Sequence, residues 1–145
     1  MRSLMPVIAR HEGAWTGEYV HMDADGKVLD RHRADLSCHF PESGAHDYHQ
    51  TNIYTWADGR REELHFPADC RDGRIWWDTD RIQGYCWEID PRTVALTWTR
   101  KDMPDTYLYE IINISEDNKR RARTWHWFER DTLVKRTCIR EQRVR

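Results

Sequence analysis

The sequence predicts an all-β protein: an antiparallel up-and-down β-barrel of about ten short strands, with a short helical plug at its N-terminus. Three observations predict this. From Trp15 onward, runs with a period of two recur about every 8–12 residues, as in meandering sheets. Turn signals such as Asp25-Gly26, Asp58-Gly59 and Asp72-Gly73 punctuate them. Finally, Gly13-Ala14-Trp15-Thr16-Gly17, a G-x-W-x-G pattern, heads the first clear run. A large ring flanked by glycines suits the closed end of a barrel, with glycine letting a second backbone approach closely.

Taken in order, residues 3–12 predict a helical turn capped by Ser3 and stopped by Gly13, which would act as the plug. The first strand covers 14–22. The second, 28–40, alternates clearly, with His32, Ala34, Leu36, Cys38 and Phe40 on the inner face. Strands then follow at 46–56, 61–67 (weakened by Pro67), 73–79, 82–90, 93–101, 106–115, 121–129 and 132–143. A meander of this number removes its exposed edges only by closing on itself.

At 145 residues the chain suits one domain spanning 1–145. Only 39% of residues are hydrophobic, but eight Trp, six Tyr and three Phe supply large buried areas and polar tips. Formal net charge is −2, with 23 basic and 25 acidic residues interleaved, so no single-signed field exists to hold a phosphate backbone. Nucleic acid is therefore not an expected partner. The run Lys119-Arg120-Arg121-Ala122-Arg123 reads as a solvated turn and strand face. Cys38, Cys70, Cys86 and Cys138 form no C-x-x-C pair and read as free thiols. The apolar lead-in Leu4-Met5-Pro6-Val7-Ile8 is too short for a signal peptide or a membrane span. The expected location is cytoplasmic, without membrane association.

The G-x-W-x-G opening, the apolar plug and the long meander resemble the calycins, the lipocalin and fatty-acid-binding-protein group, and most of all an uncharacterised bacterial calycin-like family. The resemblance implies a tryptophan packed under a basic residue of the last strand, here Trp15 under Arg140. It also implies a buried arginine holding a ligand carboxylate beside a tyrosine, here Arg136 with Tyr54 or Tyr109. The second and third lipocalin motifs are not recognisable. A similar glycine-tryptophan opening occurs in nitrobindin-type haem barrels.

Alternation assigns the inner face. Tyr19 and His21 follow Trp15 inward, His46, Tyr48, Gln50, Asn52, Tyr54 and Trp56 form the aromatic face of the third strand, and Leu64 and Phe66 come from the fourth. Gln83, Tyr85 and Trp87, then Val94, Leu96 and Trp98, are assigned inward further along. In the eighth strand, Tyr107, Tyr109 and Ile111 oppose Leu108, Glu110 and Ile112, and either face fits. In the ninth, the His126 face is taken as inner against Arg123, Trp125 and Trp127. His39, His49 and His65 point outward.

Such an interior is too polar for a dry core and has the form of a small-molecule site. The expected ligand is a small, largely hydrophobic or aromatic molecule with a polar or anionic group. Tyr19, His21, His32, Gln50, Asn52, Trp56, Tyr85, Trp87 and Trp98 are the candidate contacts. A second reading uses the same cavity as a cofactor-free lyase, isomerase or cyclase, with acid and base drawn from His126, Tyr54, Tyr109 and Arg136. A haem-binding barrel and a packed barrel with no ligand are further readings. No metal-ligand spacing, hydrolase order, phosphate loop or dinucleotide fingerprint is present, so no metal and no cofactor are expected. A small molecule is the expected partner, and a homodimer is left open.

Overall fold

The computed structural model describes residues 2–145. It is a closed antiparallel barrel of ten strands, preceded by one short helix, α1, at Pro6–Ala9. The strands are β1 (Gly13–Asp23), β2 (Val28–His39), β3 (Tyr48–Thr55), β4 (Arg61–Arg71), β5 (Arg74–Asp78), β6 (Ile82–Asp90), β7 (Thr93–Arg100), β8 (Met103–Ile114), β9 (Arg120–Glu129) and β10 (Thr132–Arg143). Each pairs with its neighbours in sequence, and β1 closes on β10 in a register running from Trp15↔Arg143 to Asp23↔Lys135. Every strand has a neighbour on both sides, though β4 meets β5 only over Asp69–Arg71.

The helix is shorter than the sequence implies and begins at Met5 and Pro6, not at a Ser3 cap. Proline suits the first helical position because its missing N–H is an orphan there anyway. The wall supplies the cap: Glu88 Oε1 on β6 accepts hydrogen bonds from the N–H groups of Val7 and Ile8 at 2.7 and 2.9 Å. Met5, Val7 and Ile8 are buried, so the turn stoppers one end of the barrel as expected.

The glycines of the opening motif act as the sequence suggests. A Cβ placed on Gly17 would lie 2.0 Å from the Arg140 carbonyl oxygen, so only glycine lets β1 and β10 close there. Gly13 has φ +125°, and a Cβ on it would meet the Arg143 guanidinium at 2.6 Å.

Inner faces agree with the sequence in β1, β2, β3, β4 and β7, and β8 turns Leu108, Glu110 and Ile112 inward. They differ in β6, β9 and β10, each by one residue. The ninth strand buries Arg121, Arg123, Trp125 and Trp127 and exposes Ala122, Thr124 and His126. The tenth buries Thr137, Ile139 and Glu141, leaving Arg136 half-buried on the outer face and Arg140 exposed. In β6, Ile82 and Cys86 are buried, while Tyr85 and Trp87 stack with Trp76 on the outside, beneath Arg74. In β9 and β10 the inner face carries charges, and in β6 the outer face carries the aromatics, so the rule that large apolar residues point inward selects the wrong face.

Candidate functional site

The base of the barrel is built around Trp15, which is fully buried. Its indole N–H donates to the His11 carbonyl at 2.9 Å, tying the plug to β1. Two guanidinium groups cover the ring: Arg121 at 4.4 Å and Arg143 at 4.3 Å from its centre. Arg143, not Arg140, is therefore the last-strand cation on this tryptophan, because the register places it directly opposite Trp15. Arg143 also donates to the carbonyls of Arg10, Glu12 and Asn118, stitching the lead-in to the wall.

Above this platform lie four buried charges. Arg121 pairs with Glu141, and Arg123 bridges Glu110 at 2.5 Å and Glu141 at 3.2 Å while donating to the Tyr19 hydroxyl at 3.0 Å. The Lys119–Arg123 run is thus not wholly solvated, since Arg121 and Arg123 are each 6% exposed. Two cations and two carboxylates compensate one another, as buried charges must. Burial acts first to raise the Glu141 pKa, but the two arginines outweigh it and hold the carboxyl ionised. Arg121 Nη2 and His11 Nε2 have no hydrogen-bond partner, and both residues line the bottom of the interior.

Along β3 the even-numbered side chains hydrogen-bond in sequence. Tyr48 donates to Gln50 at 2.8 Å, Gln50 to Asn52 at 2.8 Å, and Asn52 to the Tyr54 hydroxyl at 2.9 Å. Alternation puts residues two apart on one face, so a polar strand satisfies itself lengthwise. Burial raises the pKa values of Tyr19 and Tyr54 despite Arg123 nearby, so both hydroxyls stay protonated.

The interior encloses a cavity of about 530 Å³. Tyr54, Trp56, Phe66, Trp77, Trp98, Trp125 and Trp127 contribute its aromatic walls. It opens opposite the plug, where Leu29, Asp30, Glu62, Arg81, Arg100 and Lys135 line the mouth. Lys135 lies 4.4 Å over the Trp127 ring and makes no ion pair among the described residues. Burial first, and Arg100 second, lower its pKa. The other mouth cations have acidic partners: Arg100 with Asp102 at 2.5 Å, and Arg81 with Glu62 at 3.8 Å.

Just inside the mouth, His32 Nδ1 lies 3.0 Å from Asp30 Oδ2, and Trp56 Nε1 donates to both Asp30 oxygens. Burial acts first to raise the Asp30 pKa, but these hydrogen bonds outweigh it and hold the carboxyl below its usual value. His21 Nδ1 lies 2.7 Å from Thr137 Oγ1, and burial, reinforced by Lys135 and His32, lowers its pKa to about 4. His32 stacks among Tyr54 and Trp56 at 4.7 and 4.6 Å between ring centres.

Of the residues expected to contact a ligand, Tyr19, His21, His32, Gln50, Asn52, Trp56 and Trp98 line the cavity, whereas Tyr85 and Trp87 lie outside. Of the four acid-base candidates, only Tyr54 lines it. His126 is exposed, Tyr109 is 52% exposed beside Phe128, and Arg136 is on the outer face. His46 stands in the loop before β3, 3.1 Å from Asp69. His39, His49 and His65 are exposed, as the sequence implies. Sequence reasoning missed Arg121, Arg123, Glu141 and Lys135. The signal for the first two was Trp125 and Trp127, which share their face.

No family model matches this chain, and no curated protein matches it either. Solved structures do. A Nostoc punctiforme protein of unknown function from the DUF3598 family is similar over 94% of this chain, at TM-score 0.72 and 16% identity. This chain spans about half of that protein, 49% of its length. An S-type phycobiliprotein lyase from Guillardia theta is similar at TM-score 0.73 and 11% identity, covering 94% of this chain and 90% of the lyase. A Mycobacterium tuberculosis protein is similar at TM-score 0.66 and 11% identity, covering 98% of each chain. At these identities the likeness is one of fold. No helix among the described residues is long and apolar enough to cross a membrane.

Proposed function

We propose that this barrel, calycin-like in architecture, binds one small, flat, largely aromatic molecule carrying an anionic group. The observation that carries the reading is Lys135, a half-buried ammonium at the mouth of an aromatic cavity with no carboxylate within ion-pair distance, Asp30 acting on it only from farther off. A charge in that position is poorly solvated and gains from an anion that arrives with the ligand. The arginines deeper inside have their countercharges built in, so the unmatched cation is at the entrance. The ligand's apolar body would lie against Trp98, Trp125 and Trp127, with its anionic group beside Lys135. Hydrogen-bonding groups on its inner edge would meet the Gln50 and Asn52 ladder. A phycobiliprotein lyase of similar fold lends the reading architectural support only.

The test uses two fluorescent probes of one shape: 1-anilinonaphthalene-8-sulfonate and its uncharged relative N-phenyl-1-naphthylamine. Lys135→Ala is expected to weaken the sulfonate about tenfold, or about 1.4 kcal/mol, and to leave the neutral amine within about twofold. Equal loss of both probes, or of neither, would remove Lys135 from the site.

A further inference from the structure

His21, Asp30 and His32 are brought together by strand register. His21 on β1 stands directly opposite Asp30 on β2, and His32 is the next inward residue along β2. One ring nitrogen from each histidine and one Asp30 oxygen lie within 4.8 Å of one another, the one such group of three among the described residues. Sequence spacing could not reveal it, because eight residues lie between His21 and Asp30 in the chain while the hairpin pairs them.

Two of the three are held from behind. Trp56 fixes Asp30, and Thr137, which accepts from Trp127 Nε1 at 3.2 Å, fixes His21. His32 Nδ1 faces Asp30 Oδ2 at 3.0 Å, on a side chain 4% exposed. A carboxylate only accepts, so a proton sits between the two atoms, and a cation bound there takes its place.

We propose that His21, His32 and Asp30 hold a divalent transition-metal ion on the inner wall of the mouth. The two imidazoles are nitrogen ligands, and Asp30 supplies the carboxylate of the set. His21 Nδ1 is held by the Thr137 hydroxyl, which fixes the orientation of that ring. Two imidazoles and one carboxylate suit zinc, cobalt or ferrous ions, not the all-oxygen preference of calcium or magnesium. The remaining coordination positions face the cavity, where water or a ligand donor completes them. This inference does not rest on the ligand reading above.

The experiment is titration of Co²⁺ into the metal-free full chain, followed by calorimetry and visible absorption. The expected result is one equivalent bound. Affinity is expected to fall at least about tenfold in His21→Ala and Asp30→Asn and about a hundredfold in His32→Gln. His39→Ala and His46→Ala are expected to bind as the parent does. Circular dichroism checks that each variant is folded; should His32→Gln not fold, the half-buried His21 carries the test. Lys135→Ala separates the two proposals, since removing that positive charge is expected to tighten Co²⁺ while weakening the sulfonate probe. Failure of the parent chain to bind Co²⁺, or binding unchanged in both His21→Ala and Asp30→Asn, overturns the assignment.

Discussion

The two ends of the barrel use charge in opposite ways. At the base, Arg121 and Arg123 have Glu110 and Glu141 within ion-pair distance, and Arg121 and Arg143 enclose Trp15. At the mouth, Lys135 has no ion pair among the described residues and lies over the Trp127 ring. The difference lies in one group. The buried charges of the base are matched within the chain and fix the packing of the closed end. At the mouth Arg81 and Arg100 are matched too, and Lys135 alone of the three cations has no ion pair, the feature on which the proposed ligand reading rests.

The largest expected effect breaks the base. Glu141→Gln leaves two buried guanidinium groups with one carboxylate between them, and is expected to cost about 3–5 kcal/mol in urea unfolding. A loss below about 1 kcal/mol would show that the network is not what holds the closed end. Next is Gly17→Ala, whose methyl group would collide with the Arg140 backbone and force β1 from β10. Overpacking of this kind costs about 1–3 kcal/mol, read as a fall in the urea midpoint.

A pH series sharpens the comparison. His21 has a folded-state pKa of about 4, below its unfolded value of about 6.5. The unfolded chain therefore takes up the proton first, so stability is full above about pH 6.5 and declines as pH falls toward 4. For this partly solvated ring the decline is about 1–2 kcal/mol after discounting for solvent screening. His11 at the base, lowered by burial and by Arg121, declines in the same direction. His21→Asn in metal-free protein should flatten only the mouth's share of the slope; an unchanged profile would assign all of it to the base. The smallest effect is expected at Lys135→Ala, within about 0.5 kcal/mol in stability, because no ion pair is lost. A large destabilisation there would erase the distinction between the ends.

Much of the fold was legible in the sequence. Period-two runs and Asp-Gly turns located the strands, with β6 at 82–90 and β10 at 132–143 matching the structure. Trp15 and its glycines marked the closed end for a reason the Gly17 approach makes physical. What was not legible was the facing of three strands. In β9 and β10 the inward residues include Arg121, Arg123, Lys135 and Glu141, and a binary apolar-in pattern has no way to represent a charged wall. Likewise His126 and Tyr109 look like site residues by type, but their strands turn them outward. His21, Asp30 and Lys135 meet only through strand register and barrel closure.

The indoles of Trp98, Trp125 and Trp127 stand 5.2 and 5.7 Å apart around the central Trp127, edge to face. Rings so close and so inclined are expected to couple their electronic transitions, which ultraviolet circular dichroism would read as a split band. Any guest that slides between them, or draws Lys135 off the central ring, must alter that band. Titration of the sulfonate probe would then be followed through the protein's own indoles, with no label attached.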